Sequence, residues 1–422
     1  MKTAFRQFVL FLTILLTLIS CEKDKNNDVE IINSNMLELM KEIYLWYDHL
    51  PSSIDPGAYS TPEAFMEALR YPAYDKWSFV MSENDFIDYF VNAEMIGHGF
   101  LLGLDETEQV RICFLYRNTQ AADEGVKRGW ILSKVNGTEV TPENVFSLLG
   151  ASEAGVTNNI TFLDENGATM NVNLTKEIIN ITPVLHYEVL NQGDAEIGYM
   201  VFQDFINAAY EELDEAFSFF ADQGIDELIV DLRYNGGGSV NVADTLAGWL
   251  IGDNFRNQPF VNFKYNVKYA STMNRIIDIP EIISGLNLSR VFFIGTSNTA
   301  SASELLINGL RPYTESILAG TTTHGKPVGM DIYQIKDYII APVTFKYTNA
   351  DDEGDFYSGL EPTLPADDDI TKDFGDPEES SLKAILNYIE TGEVPVKTTK
   401  STGYRIKIME PKGPLGQYLK AY

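Results

Sequence analysis

The chain has 422 residues, enough for roughly two to four domains with substantial cores. Its 45% hydrophobic and 22% charged residues describe a globular protein, not a disordered one. The 31 Lys and Arg against 61 Asp and Glu leave a formal net charge of −30, which argues against nucleic acid as a partner and against electrostatic docking on anionic lipid.

Reading from the amino terminus, Lys2 and Arg6 precede an apolar run from Phe8 to Ile19. That run is shorter than the about 20 residues a membrane span needs and has the form of an export signal. It ends in Leu18-Ile-Ser-Cys21, which resembles a bacterial lipoprotein signal. The resemblance implies removal of residues 1–20 and lipidation of Cys21. The protein would then be held in the cell envelope, on the periplasmic or surface face of the outer membrane, with the lipid as its only membrane contact. Residues 21–33 are mostly polar and read as a tether. A lipidated Cys21 leaves Cys113 without an intramolecular partner, and its neighbours Ile112, Phe114 and Leu115 mark it as a buried small hydrophobe.

From Met36 the apolar positions recur at helical spacing (Leu39, Met40, Ile43), and Thr61-Pro62 opens a second helix with a cap and a proline at its first position. Residues 34–90 therefore read as a small helical domain. Between 91 and 178 short β-like runs follow one another, separated by turn signals at Asn136-Gly137 and at Asp164 to Gly167. The order of these runs, with Gly97-His-Gly-Phe-Leu-Leu102, Ala121 to Gly129 and Ile131 to Gly137, resembles a PDZ domain. Gly129-Trp130 stands where that family usually has Gly-Asp, which leaves the peptide preference open. From 179 to 392 strands alternate with helices: Ile197–Phe202, the amphipathic Ala209–Gln223, Glu227–Leu232, Asn241–Leu250, Val291–Ile294, Ala302–Leu310 and Ser316–Ala319. This order predicts an α/β fold with a parallel-rich sheet covered by helices. Asp331–Ile335 and Ile339–Thr348 look like a closing hairpin, and residues 393–422 read as a weakly defined tail.

Three segments carry chemistry. Thr299-Ala-Ser-Ala-Ser-Glu304 follows a buried strand and opens a helix. Ser-x-x-Glu is a capping box in its own right, yet a helix start also aims free N–H groups at developing negative charge. Asp231-Leu-Arg-Tyr-Asn-Gly-Gly-Gly238 sits at the carboxyl end of a buried strand, where open α/β sheets place their sites. It could equally be a flexible turn; a phosphate loop is disfavoured because no Gly-Lys-Ser/Thr follows. Gly320-Thr-Thr-Thr-His-Gly-Lys326 supplies a lysine that serves as a base only if burial lowers its pKa, and His324 is the rival base. No His-Glu-x-x-His or Cys/His cluster suggests a metal, and no cofactor is implied.

Together these segments resemble the carboxyl-terminal processing, or tail-specific, serine proteases, which combine a PDZ domain with a Ser/Lys dyad. By that resemblance the first serine of Ser-Ala-Ser-Glu, Ser301, is the nucleophile. Lys326, 25 residues later, is the base. The backbone N–H groups of Gly237 and Ala302 form the oxyanion hole, with Gly236 standing where the family has proline. Gly99, Phe100, Leu101 and Leu102 would hold the carboxyl terminus of a polypeptide substrate as an added strand. Many members carry a glutamine four residues after the lysine; here that position is Met330, and Gln334 lies four residues further on. The implied activity is endopeptidase cleavage of polypeptides. The alternative is a peptide- or lipid-binding protein on the same fold with weakened catalysis.

Overall fold

The computed structural model describes residues 25–192, 195–282, 285–394 and 406–409. Cys21 and the segment read as an export signal lie outside them. Helix α1 (Lys25–Ile43) buries Ile32, Met36, Met40 and Ile43 along one stripe. The helix starts inside the segment read as a tether, which corrects that boundary. Ile32 continues the apolar stripe one turn back, and the buried Asn33 Nδ2 donates to the Pro56 carbonyl at 2.9 Å. Helix α2 (Pro62–Leu69) is capped as expected, its Ala64 N–H donating to Thr61 Oγ1, and it packs Phe65, Met66 and Leu69 inward. The amino-terminal region is not purely helical, because Phe79–Ser82 forms a strand paired antiparallel with Tyr338–Ala341. A single apolar core continues from α1 through this pair into the sheet described below.

Residues 100–175 build an antiparallel sheet from β1 (Phe100–Leu104), β2 (Val110–Leu115), β3 (Ile131–Val135), β4 (Thr157–Leu163) and β5 (Thr169–Thr175). A short helix, Val145–Leu149, helps close its core of Leu102, Ile112, Leu132, Val135, Ile160, Phe162 and Leu174. Asn136 and Gly137, both at positive φ (51° and 80°), make the tight turn after β3, the geometry a two-residue hairpin requires.

The larger sheet has the order β6 (Val184–Gln192), β7 (Ala195–Phe202), β8 (Glu227–Asp231), β9 (Arg290–Gly295), β10 (Glu315–Gly320) and β11 (Leu364–Pro365). Only the β6–β7 pair is antiparallel. Alternate residues go to opposite faces. Met200, Val230, Phe293 and Leu318 meet α3 (Ala209–Gln223), α4 (Val240–Ile251) and α5 (Ala302–Leu310). Ile197, Ile229, Phe292 and Ile317 meet α6 (Ser380–Thr391) and the amino-terminal core. That two-sided burial is why β8 and β9 read as unbroken apolar runs.

A second sheet of four antiparallel strands pairs Pro259–Tyr265 with Arg275–Asp278 and with Val343–Thr348, which also pairs Val328–Met330. The expected closing hairpin is narrower than read, Tyr333–Ile335 with Tyr338–Ala341. The carboxyl-terminal tail departs from expectation too. Its residues Lys407–Met409 form a strand, β12, antiparallel to β1.

Candidate active site

The parallel strands β8 and β9 end side by side, and their carboxyl ends deliver the glycine turn and the serine segment to one place. Two threonines fasten them together. Thr299 Oγ1 donates to the Leu232 carbonyl (2.7 Å) and Thr296 Oγ1 to that of Arg233 (2.6 Å). Buried Asn235 completes the joint: its Nδ2 donates to the Phe202 carbonyl, while its own carbonyl accepts from Ala300 N–H and Ser303 Oγ. Asn235 lies within the recognised turn, but nothing in the sequence signals this role.

Ser301 immediately precedes α5 with φ 55° and ψ −115°, a backbone region that costs a non-glycine residue about 1–3 kcal/mol. The strain is held by Glu304, whose buried carboxylate forms the centre of the site. Its Oε2 accepts from the N–H of Ser301 (3.1 Å) and from the N–H of Lys326 (2.8 Å). Its Oε1 accepts from Gly325 N–H (2.7 Å) and Thr323 Oγ1 (2.5 Å). Burial raises the carboxyl pKa and these donors oppose the rise. The capping glutamate thus brings together two residues 25 positions apart. Tyr347 adds a second link, its hydroxyl within hydrogen-bond distance of the carbonyls of Ser301 (3.1 Å) and Lys326 (2.9 Å).

Lys326 is 3% exposed. Burial pushes its pKa down to about 7, against the opposing charges of Asp75 and Glu304. Asp75 comes from the amino-terminal region, where it accepts from Tyr44 Oη, Ser78 Oγ and the N–H groups of Trp77 and Ser78. Gly325 has φ +89°, and a Cβ there would lie 2.6 Å from the Tyr357 carbonyl and from the Gly359 nitrogen, so the residue before the lysine must be glycine.

His324 does not present a free base. Trp77 Nε1–H donates to its Nε2 (3.1 Å), and its Nδ1 lies 3.3 Å from the Ser297 carbonyl. Burial and the nearby Lys326 push its pKa down to about 4.

Of the two expected oxyanion donors, Ala302 N–H has no hydrogen-bond partner among the described residues, but Gly237 N–H is committed to Asn235 Oδ1 at 2.8 Å. That corrects the reading of Gly237 as a donor, since an N–H satisfied inside its own turn is not presented to a substrate. Gly237 serves instead by close approach. At φ +108°, a Cβ there would lie 2.7 Å from Ser301 Cβ and 2.8 Å from the Ala302 nitrogen. The neighbouring Gly238 N–H is also without a partner among the described residues.

Met330 is half-buried in the strand after Lys326, and Gln334 turns its side chain to the Lys336 carbonyl at the surface. Neither supplies the amide expected beside the lysine. Gly99 (φ +81°) enters β1, and a Cβ there would lie 2.5 Å from Thr119 Cγ2. Phe100, Leu101 and Leu102 follow in β1, whose outer edge carries β12.

The chain matches the model of peptidase family S41 over residues 196–366 and that of the S41 N-terminal domain over 32–79. It is 25% identical over 312 residues to the chloroplastic carboxyl-terminal-processing peptidase 1 of Arabidopsis thaliana, covering 71% of this chain and 60% of that protein. It is 20% identical over 324 residues to a probable CtpA-like serine protease of Staphylococcus saprophyticus, covering 75% of this chain and 62% of that one. The chain thus spans less than two thirds of these relatives. A solved putative S41 protease from Bacteroides fragilis superposes with TM-score 0.71 at 25% identity, over 85% of this chain and 97% of that one. The photosystem II D1 C-terminal processing protease shares the fold at TM-score 0.50 and 18% identity, over 80% and 93% of the two chains.

Proposed function

The chain belongs to peptidase family S41, and from that premise we propose that it is a serine endopeptidase working through a Ser301/Lys326 dyad on polypeptides with a free carboxyl terminus. The observation that carries this reading is the single oxygen, Glu304 Oε2, that accepts the N–H groups of both Ser301 and Lys326. Ser301 Oγ attacks the scissile carbonyl carbon while its proton passes to the neutral Lys326 amine. The oxyanion is held by Ala302 N–H and Gly238 N–H, where it gains most because the donors are fixed before the reaction begins. Lys326 then protonates the leaving amine, and water hydrolyses the acyl-enzyme by the same route. A substrate's carboxyl-terminal segment adds to the edge of β1, its carboxylate near Gly99 to Leu102.

Ser301→Ala and Lys326→Ala should each abolish peptide hydrolysis, and the double variant should be scarcely worse, because the two act as a unit. Lys326→Arg should also be inactive, since a guanidinium does not give up its proton near neutral pH. Ser301-independent hydrolysis would sink the dyad. Met330 favours the second reading, a peptide-binding protein with weakened catalysis; that reading predicts peptide binding with no Ser301-dependent turnover.

The proposal includes export and anchoring through Cys21. Cys21→Ala should release the folded protein from the membrane fraction, and continued sedimentation with membranes would remove the anchor.

A further inference from the structure

Sheet order places β1 second from the edge, with β2 on one side and the short edge strand Lys407–Met409 on the other. The pairing is antiparallel: Lys407 lies opposite Leu104, Ile408 opposite Gly103 and Met409 opposite Leu102. The tail segment therefore runs towards Gly99, the direction in which a substrate would bring its carboxyl terminus. Its side chains are seated rather than merely adjacent. Ile406 is 1% exposed, and a Cβ at Gly103 would lie 2.5 Å from its Cγ2, so the missing side chain of Gly103 is the space Ile406 fills. Met409 joins the core of the antiparallel sheet. At the other end, Asn298 Nδ2 donates to the Ile406 carbonyl at 3.1 Å, three residues before Ser301. The segment thus spans the distance from the substrate edge to the loop that carries the nucleophile. One strand edge pairs with one strand, because its outward N–H and C=O groups are used once.

We propose that Ile406–Met409 is an intramolecular occupant of the substrate edge, and that a substrate's carboxyl-terminal segment must displace it to bind. This rests on the functional reading above. It also gives the substrate a chemistry: an extended segment with an aliphatic residue for the space at Gly103 and a second apolar residue three positions later, as Ile406 and Met409 supply.

The test uses the full chain carrying Ser301→Ala, so that binding is read without turnover. The probe is a fluorescein-labelled peptide, Ser-Thr-Gly-Tyr-Arg-Ile-Lys-Ile-Met with a free carboxyl terminus, which copies residues 401–409. Adding Ile406→Asp should tighten its binding by tenfold or more in fluorescence anisotropy. Lys407→Pro should do the same through the backbone, since Lys407 is exposed and the change leaves the core side chains in place. An amidated peptide should gain less than the free acid. Unchanged affinity in both variants, or earlier thermal unfolding with no gain in affinity, would make β12 a permanent structural strand and overturn the inference. Tighter binding by a protein that shows no Ser301-dependent hydrolysis would keep the inference and remove the peptidase reading. Ser301-dependent hydrolysis with no gain in affinity would do the reverse.

Discussion

In the proposed dyad Lys326 sets the pH behaviour of the site. There only its neutral form would take the serine proton, so activity should rise with pH around a midpoint near 7 and then level off. Asp75 opposes the fall in the lysine pKa, so Asp75→Asn should move that midpoint to lower pH; an unmoved or raised midpoint would mean that Asp75 does not act on the lysine. The same shift has a stability consequence. The folded lysine loses its proton near pH 7 and the unfolded one near 10.5, so below pH 7 folding carries a penalty on the order of 5 kcal/mol that shrinks as pH rises to 10.5. Lys326→Met should therefore stabilise the protein most below pH 7 and progressively less up to pH 10.5, as read by urea unfolding at several pH values. His324→Ala should keep most of the activity, because the Nε2 lone pair already accepts the Trp77 indole N–H. Loss of activity in that variant, with Lys326→Ala active, would make the site a serine–histidine one.

At the scale of elements, the strand–turn–helix joints of β8–α4 and β9–α5 were readable because each is marked by a chemical need. Both strands carry apolar runs, Gly237 leaves room beside Ser301 where a Cβ would clash, and the Ser301/Glu304 capping box marks the start of α5. What Glu304 does could not be read the same way. Ser-x-x-Glu is a capping signal in any helix, and only the fold brings Thr323, Gly325 and Lys326 onto that carboxylate. Asn235 and Tyr347 act through backbone atoms distant in sequence, which leaves no local pattern. The strands Pro259–Tyr265 and Arg275–Asp278 escaped for a related reason: the first takes one of its partners from Val343–Thr348, far along the chain. Gly237→Ala tests the joint. It places a Cβ 2.7 Å from Ser301 Cβ on a backbone at φ +108° and should cost about 2–4 kcal/mol in urea unfolding. It should also lower kcat by about 100-fold or more through displacement of Ser301. A variant with native activity would show that the turn yields easily.

On the scale of the whole molecule, the site is held by charges that never meet water. Arg233, in the glycine turn, donates to Asp231, Asp368 and Glu379. Glu379 in turn caps α6 by accepting from Ser381 and Leu382 N–H. Arg128, from the antiparallel sheet's unit, donates to Asp368, to the Tyr234 hydroxyl and to the Cys113 carbonyl. Three carboxylates against two guanidiniums leave one negative charge in excess, partly offset by the Tyr199 hydroxyl donating to Asp231 and the Tyr234 hydroxyl to Asp368. Removing a cation from such a cluster strands a buried carboxylate, and the effect is much larger than the pair's net worth. Arg128→Met should cost about 3–5 kcal/mol, because the Met side chain fills the space but leaves Asp368 with less positive charge. Asp368 then faces the low-dielectric interior with Arg233 as its one remaining cation beside the Tyr234 hydroxyl, so its pKa, now held below the ordinary carboxylate value, should rise. The penalty should accordingly diminish as pH falls and Asp368 takes up a proton. A loss of stability in Arg128→Met that stayed the same from pH 8 to pH 4, measured by urea unfolding, would show that Arg128 acts by packing against Phe374 and not by its charge.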